Sequence, residues 1–490
     1  MRPRTWAWRA GAVASLLLPA APLNAAAPGG LVPCRLKGFE HEALCGQVQR
    51  ALDPANQGGT RIDVHFAVLP ALARNKKPDP VFFIAGGPGQ SAIDLAGPLS
   101  RMLARFGNRR DIVLVDQRGT GRSAPLMCDE EAASLPLRQS ADPAGQVQRA
   151  RDCLRKLQTL PHGDLRHYTT TLAMADLEAV RQALGAQRIN LIGASYGTRA
   201  VLDYMRQFPL QVRRAVLDGV APPDMVLPQA SAADAQAAFD ALLQACEKDA
   251  VCSARHPRLR ATWQALLAAL PREVSLPHPL TGRSESLTLT RDMLLGMVRA
   301  PLYSPAFSAG LPVALEEAAQ GRFVPLLGLS SALGPARGSA ALAQGMHFSV
   351  ICAEDMPSMP PPPPPAPDFG EGLAPLYRQV CEGWPRGVVP EAFRVVPTAP
   401  AATLLLSGGI DPVTPPRHGE CMARSLGAKA RHEVVPNAGH GLLGLACLRD
   451  VVFRFIDAAT DAQALEIDAS CARDIPRPPP FLPPGTGAAP

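Results

Sequence analysis

Nowhere does the chain run to about 18 uninterrupted apolar residues, so no segment is expected to span a membrane. No basic cluster accompanies the formal net charge of +6, which leaves a nucleic-acid partner without support. No two cysteines are spaced CxxC and no HExxH occurs, so a zinc site lacks its usual ligands, and no metal or organic cofactor is expected. Internal repeats are absent. Charged residues are only 19% of the chain against 47% hydrophobic, a globular rather than a disordered composition. Its 490 residues leave room for about two or three units of ordinary domain size.

What is present begins with an export signal. Arg2, Arg4 and Arg9 precede a short apolar run, Ala10–Leu18, and Leu23-Asn24-Ala25 stands before Ala26. That is the pattern of a secretory signal peptide over residues 1–25, and it predicts a periplasmic or extracellular protein. Pro33 before Cys34 argues against a lipid anchor there. All 11 cysteines lie beyond residue 25, and an exported chain should pair them, with one left over. Closeness along the chain predicts Cys34–Cys45, Cys128–Cys153, Cys246–Cys252, Cys352–Cys381 and Cys447–Cys471, leaving Cys421 unpaired.

Short apolar runs end in polar or glycine-rich loops at Val81–Ile84, Ile112–Val115, Ile189–Ile192, Ala215–Leu217 and Thr403–Leu406. Such runs suit strands buried on both faces of a parallel sheet. Helical spacing alternates with them, as in Thr171–Leu184, where Leu177, Val180 and Leu184 share a face and Gly185 ends the helix. Strand, helix and strand in sequence predict an α/β sheet with right-handed crossovers. Between about Val220 and Pro400 the order is interrupted by Ala- and Leu-rich segments (Ala230–Leu243, Ala261–Leu270, Arg291–Val298) that read as helical. The expected organisation is a first core part over 26–219, a helical cap over 220–400, a second core part over 401–475 and a proline-rich tail over 476–490. The run Pro360–Pro365 reads as a stiff exposed connector, and the tail as an extended or disordered end.

The chemistry gathers at loops that follow the strands. Gly193-Ala194-Ser195-Tyr196-Gly197 fits G-x-S-x-G, with a strand-like run before it and a plausible helix, Thr198–Gln207, after it. That context is what a nucleophile elbow requires, since the glycines permit a sharp turn that lifts the serine hydroxyl out of the sheet edge. A serine needs a base, and the base an orienting acid; in this fold the chain order is serine, acid, histidine. Asp411 follows the Thr403–Leu406 run, and His440 stands in a glycine-flanked loop after Val434-Val435. The oxyanion would need two backbone N–H donors: Tyr196, the residue after the serine, and the loop Gly86-Gly87-Pro88-Gly89, with Gly87 first and Gly86 next.

Gly86-Gly87-Pro88-Gly89, Asp116-Gln117-Arg118-Gly119-Thr120-Gly121-Arg122-Ser123 and Gly193-Ala194-Ser195-Tyr196-Gly197-Thr198 resemble the prolyl-aminopeptidase family of α/β-hydrolases, and in particular its secreted, tripeptidyl-aminopeptidase-like branch. Asp411-Pro412-Val413-Thr414-Pro415 and Gly439-His440-Gly441, followed by Cys447 and Cys471, look like that branch's C-terminal region. The resemblance implies an α/β-hydrolase fold with a cap. It also implies an exopeptidase acting on peptides with a free N-terminus, with Ser195, Asp411 and His440 as triad, and Asp116 and Arg118 fixing the loop beside it. Single-domain members carry histidine where this chain has Ala85. No motif here matches the acidic cap residues that hold a substrate's ammonium group in the small enzymes; Glu354 and Asp355, beside Cys352, are candidates on chemical grounds. A secreted esterase or lipase would use the same triad, and a non-catalytic binding module would not need all three positions filled.

Overall fold

The computed structural model describes residues 30–128, 135–332, 342–359, 361 and 366–481. The expected signal peptide, most of Pro360–Pro365 and the end of the tail lie outside the described residues.

A mixed sheet of nine strands organises the molecule, in the order β1-β2-β3-β5-β4-β6-β7-β10-β11. Its strands are β1 (Val32–Cys34), β2 (Ala43–Ala51), β3 (Arg61–Leu69), β4 (Val81–Ile84), β5 (Ile112–Val115), β6 (Ile189–Ala194), β7 (Val212–Asp218), β10 (Thr403–Gly408) and β11 (Ala430–Val435). The intervening β8 (Arg272–Pro277) and β9 (Ser284–Leu289) form a separate antiparallel hairpin. From β5 to β11 every neighbouring pair is parallel, while β1, β2 and β3 extend one edge antiparallel.

All five apolar runs are parallel strands, and their packing explains the composition. Phe82, Ile84, Val113, Val115, Leu191, Leu217 and Leu405 point into one buried cluster; Val81, Phe83, Ile112, Leu114, Ile192, Val216, Leu404 and Leu406 point into the other. Alternate residues face opposite sides of a sheet, so a strand covered on both sides must be apolar throughout. Helices cover the faces, among them Thr170–Ala183, ended as expected by Gly185 at φ +66°, and Tyr196–Gln207.

The inserted stretch divides in two. Helices Leu227–Lys248, Leu259–Ala268 and Arg291–Leu302 share a core of their own around Phe239, Trp263 and Leu294. Ala343, Met346, Val350, Cys352, Val380, Cys381, Trp384, Ala399 and Ala401 instead pack into the sheet's own cluster, while Phe369 between them joins the insertion's core. The all-helical reading of this stretch needs one correction, the β8–β9 hairpin: it alternates polar and apolar positions and buries Leu276, Leu287 and Leu289. Residues 476–481 are extended and lie on the insertion, with Phe481 N donating to Ala309 O at 3.0 Å.

The five expected disulfides are formed, and Cys421 is free and exposed. Among the described residues no helix is long and apolar enough to cross a membrane. This many disulfides is compatible with an exported protein.

Candidate active site

The serine, acid, histidine and glycine-loop residues singled out from the sequence sit just beyond the carboxyl ends of parallel strands, the edge where open α/β sheets place their ligands. Gly86 and Gly87 follow β4, Ser195 follows β6, Asp411 follows β10 and His440 follows β11.

Ser195 has φ +56° and ψ −126°, a conformation a side-chain-bearing residue adopts only when its surroundings enforce it. They do so by crowding. A Cβ on Gly193 would lie 2.5 Å from Gly197 O, and one on Gly197 would lie 2.2 Å from Ile84 O. The turn is therefore closed to anything but glycine at both ends. Ser195 N donates to Asp218 O at 2.8 Å, tying the elbow to the end of β7.

The acid and histidine are joined directly. His440 Nδ1 lies 2.8 Å from Asp411 Oδ2. Asp411 Oδ1 accepts from the amides of Val413 (2.8 Å) and Thr414 (2.9 Å), and Oδ2 also accepts from the Thr414 hydroxyl at 2.8 Å. Burial pushes the Asp411 carboxyl up, but the His440 ring and these donors outweigh it and hold the group below its usual range. Burial likewise pushes His440 down, and the adjacent Asp411 carboxylate outweighs it, so the imidazole stands above its ordinary value.

Three further residues fix His440, and spacing alone did not reveal them. Asp218 accepts from Leu442 N (2.9 Å) and Leu443 N (3.0 Å), anchoring the loop just past the histidine. Tyr303, from the insertion, accepts from His440 N at 2.9 Å and sets its ring edge-on, with centroids 5.5 Å apart. A Cβ on Gly219 would lie 3.1 Å from His440 Cε1, which places the imidazole against the end of β7, where Ser195 is also tied. The Ser195 Oγ to His440 Nε2 hydrogen bond is not made in this structure. Such bonds often form only once substrate is bound.

The glycine loop completes the arrangement. A Cβ on Gly86 would lie 3.0 Å from Ser195 Cβ, so the loop passes directly over the serine. Among the described residues the backbone N–H groups of Gly87 and Tyr196 have no acceptor. Asp116 steadies the loop's far end by accepting from Ser91 Oγ (2.7 Å) and Ile93 N (3.1 Å). Arg118 reaches away, to Asp176 at 2.7 and 2.9 Å. Beside the loop lies a cavity of about 520 Å³, lined by Leu342 and His347 together with Cys153, Leu376 and Tyr377. Neither Ser195 nor His440 lines it.

Glu354 and Asp355 are each 1% exposed, in a π-helical turn over Ile351–Asp355. Glu354 spends both carboxylate oxygens on Thr170, at 2.6 and 2.9 Å, and burial pushes its carboxyl up to about 7. Each Glu354 oxygen thus accepts one bond from Thr170 and keeps a second lone pair. Asp355 pairs with buried Arg199 at 2.8 Å, and its Oδ2 has no partner.

The chain belongs to the alpha/beta hydrolase fold family, which it matches over residues 79–445. It is 26% identical over 434 residues to serine protease Hip1 of Mycobacterium tuberculosis (strain ATCC 25618 / H37Rv), spanning 80% of this chain and 82% of that protein. To the tripeptidyl aminopeptidase of Streptomyces lividans it is 31% identical over 190 residues, 36% of this chain and 35% of that one. To carboxylesterase B of Mycobacterium tuberculosis (strain CDC 1551 / Oshkosh) it is 29% identical over 421 residues, 79% of this chain and 78% of that one. The protein is thus a hydrolase of the α/β fold with relatives named as peptidases, as the glycine loop, the DQRGTGRS octad and the serine pentad had implied.

Proposed function

We propose that the protein is an exported serine exopeptidase, releasing short units from the free N-terminus of peptides. The observation that carries the reading is the 2.8 Å Asp411–His440 pair at the sheet edge that also holds the strained Ser195 elbow. In this mechanism Asp411 keeps the proton on His440 Nδ1, leaving Nε2 to take the Ser195 proton as the oxygen attacks the scissile carbonyl. The tetrahedral oxyanion is held by the Gly87 and Tyr196 amides, which have no backbone acceptor among the described residues. His440 then protonates the leaving amine, and water releases the acyl-enzyme. Glu354 and Asp355, the latter with its buried Oδ2 unpartnered among the described residues, are the candidates for the substrate's ammonium group. The cap would restrict entry to short peptides and chain ends, and the basic and apolar start of the chain would direct export.

The test is mass spectrometry of products from peptides with free and blocked N-termini, beside aminoacyl arylamides and simple esters, for the wild type and Ser195→Ala. Expected are short products from free N-termini only, and a loss of several orders of magnitude, up to about 10⁶, in the variant. Turnover of esters alone would favour the second reading, an ester hydrolase with the same triad, to which the carboxylesterase-named relative points. Unchanged activity in Ser195→Ala would remove the triad from either.

A further inference from the structure

The glycine loop is gripped from the side of the insertion at two successive carbonyls. Gly89 O accepts from Ala343 N at 2.9 Å, and Pro88 O lies 3.0 Å from His347 Nδ1. The other ring nitrogen, Nε2, lies 2.6 Å from the Tyr377 hydroxyl. A carbonyl can only accept, so Nδ1 carries the proton; Nε2 then holds the lone pair and the Tyr377 O–H must donate to it. The direction of the whole chain follows: Tyr377 to His347 to Pro88. Burial pushes the His347 ring down to about 4, so this pattern of donors and acceptors persists across neutral pH.

The support behind this chain is covalent. His347 lies on the helix Gln344–Val350, which runs into the turn bearing Cys352, and Tyr377 lies on the helix Ala374–Cys381. The Cys352–Cys381 disulfide ties the two segments together, and Phe348 packs between Tyr377 and Trp384 at centroid distances of 5.7 and 5.2 Å. Leu342 closes the outer side, where a Cβ on Gly87 would lie 3.0 Å from its Cδ1. With φ of Pro88 set by its ring, few torsions separate the gripped carbonyl from the Gly87 N–H.

We propose that His347, locked by Tyr377, is a positioning residue that aims the Gly87 N–H at the oxyanion by holding the Pro88 carbonyl. This rests on the reading of Gly87 as an oxyanion donor. A role of this kind acts on the transition state more than on the bound substrate, so the loss should fall on kcat.

Steady-state kinetics of His347→Leu, His347→Asn and Tyr377→Phe on one arylamide and one ester tests it, with pH profiles alongside. His347→Leu should lower kcat about 10- to 100-fold, less than the roughly 10²- to 10³-fold for deleting a donor outright, with KM nearly unchanged. His347→Asn, whose amide N–H can reach the same carbonyl, should restore most of it. Tyr377→Phe removes one oxygen atom and should cost about 2- to 10-fold, which keeps the test open should the leucine variant not fold. The acid limb of the profile should stay in place, since His440 is untouched. Wild-type kcat in both His347→Leu and Tyr377→Phe, a loss carried by KM, or no rescue by asparagine would overturn the proposal. Failure of the underlying reading looks different: wild-type activity in Ser195→Ala removes the triad, whereas a dead Ser195→Ala beside a fully active His347→Leu removes only the role of His347.

Discussion

Asp411 illustrates how much one side chain carries. Its two oxygens accept from two amides, one hydroxyl and one imidazole, so it is fully occupied and stays ionised although almost nothing of it meets solvent. Its charge holds the His440 imidazolium above the ordinary value near 6.5, against the effect of burial. The base works only when neutral, so kcat/KM should fall as the pH drops through that raised value, giving an acid limb above about 6.5. Asp411→Asn removes the charge while burial remains, so the limb should move to lower pH. The amide also no longer enforces the Nδ1–H tautomer, and kcat should drop by roughly 10⁴. A pH–rate series on both proteins checks the sign as well as the size. A limb that moved upward in the variant would mean the titrating group is not His440.

At the scale of elements, the serine turn and the helices of the insertion treat glycine in opposite ways. Gly197 faces Ile84 O across the strand, and a Cβ there would sit 2.2 Å from a backbone atom that cannot retreat without shifting β4. Gly197→Ala should therefore cost about 3 kcal/mol or more, or leave no folded protein, in chemical denaturation. Gly296, in the middle of Arg291–Leu302, has nothing within 4 Å of its would-be Cβ, and Gly296→Ala should stabilise by about 0.5–1 kcal/mol. The same contrast explains what was legible in the sequence. Val81–Ile84 and Thr403–Leu406 announce themselves because strands covered on both faces cannot afford polar residues. β2, with Gln47 and Gln49 turned outward, and the β8–β9 hairpin, with one buried side, carry a weaker alternating signal. The serine, the acid and the histidine were readable because strand ends and glycine turns mark their positions. Asp218, Tyr303 and His347 were not, because each acts through a hydrogen bond to a backbone group distant in sequence, and such a bond leaves no local pattern.

On the scale of the whole molecule, the question is what keeps the insertion seated on the sheet. The segments around Met346, Cys352, Cys381 and Trp384 are held by shared burial with the sheet, but the helices around Trp263 have their own core and need other ties. One is the extended end of the chain. Ile475 O accepts from Asn437 on the core side, and residues 476–481 then cross to the insertion, where Arg477 reaches Ala241 O at 3.4 Å and Phe481 N reaches Ala309 O at 3.0 Å. Pro478, Pro479 and Pro480 line the seam with Leu242 and Pro312. Proline is suited to this because its φ is already fixed, so little freedom is lost when the segment docks. Two hydrogen bonds of ordinary net worth give about 1–3 kcal/mol. Removing residues 476–490 should leave turnover of a small ester nearly unchanged, since the described part, 476–481, docks on the insertion at Ala241 and Ala309. It should speed amide hydrogen exchange in Leu227–Lys248 and around Ala309 by the factor of about 5 to 150 that this energy represents. Exchange that stayed at the full-length rate in both segments would show that the strap carries no part of the cap's stability, and the ties would have to be sought at the contact between Tyr303 and His440 instead.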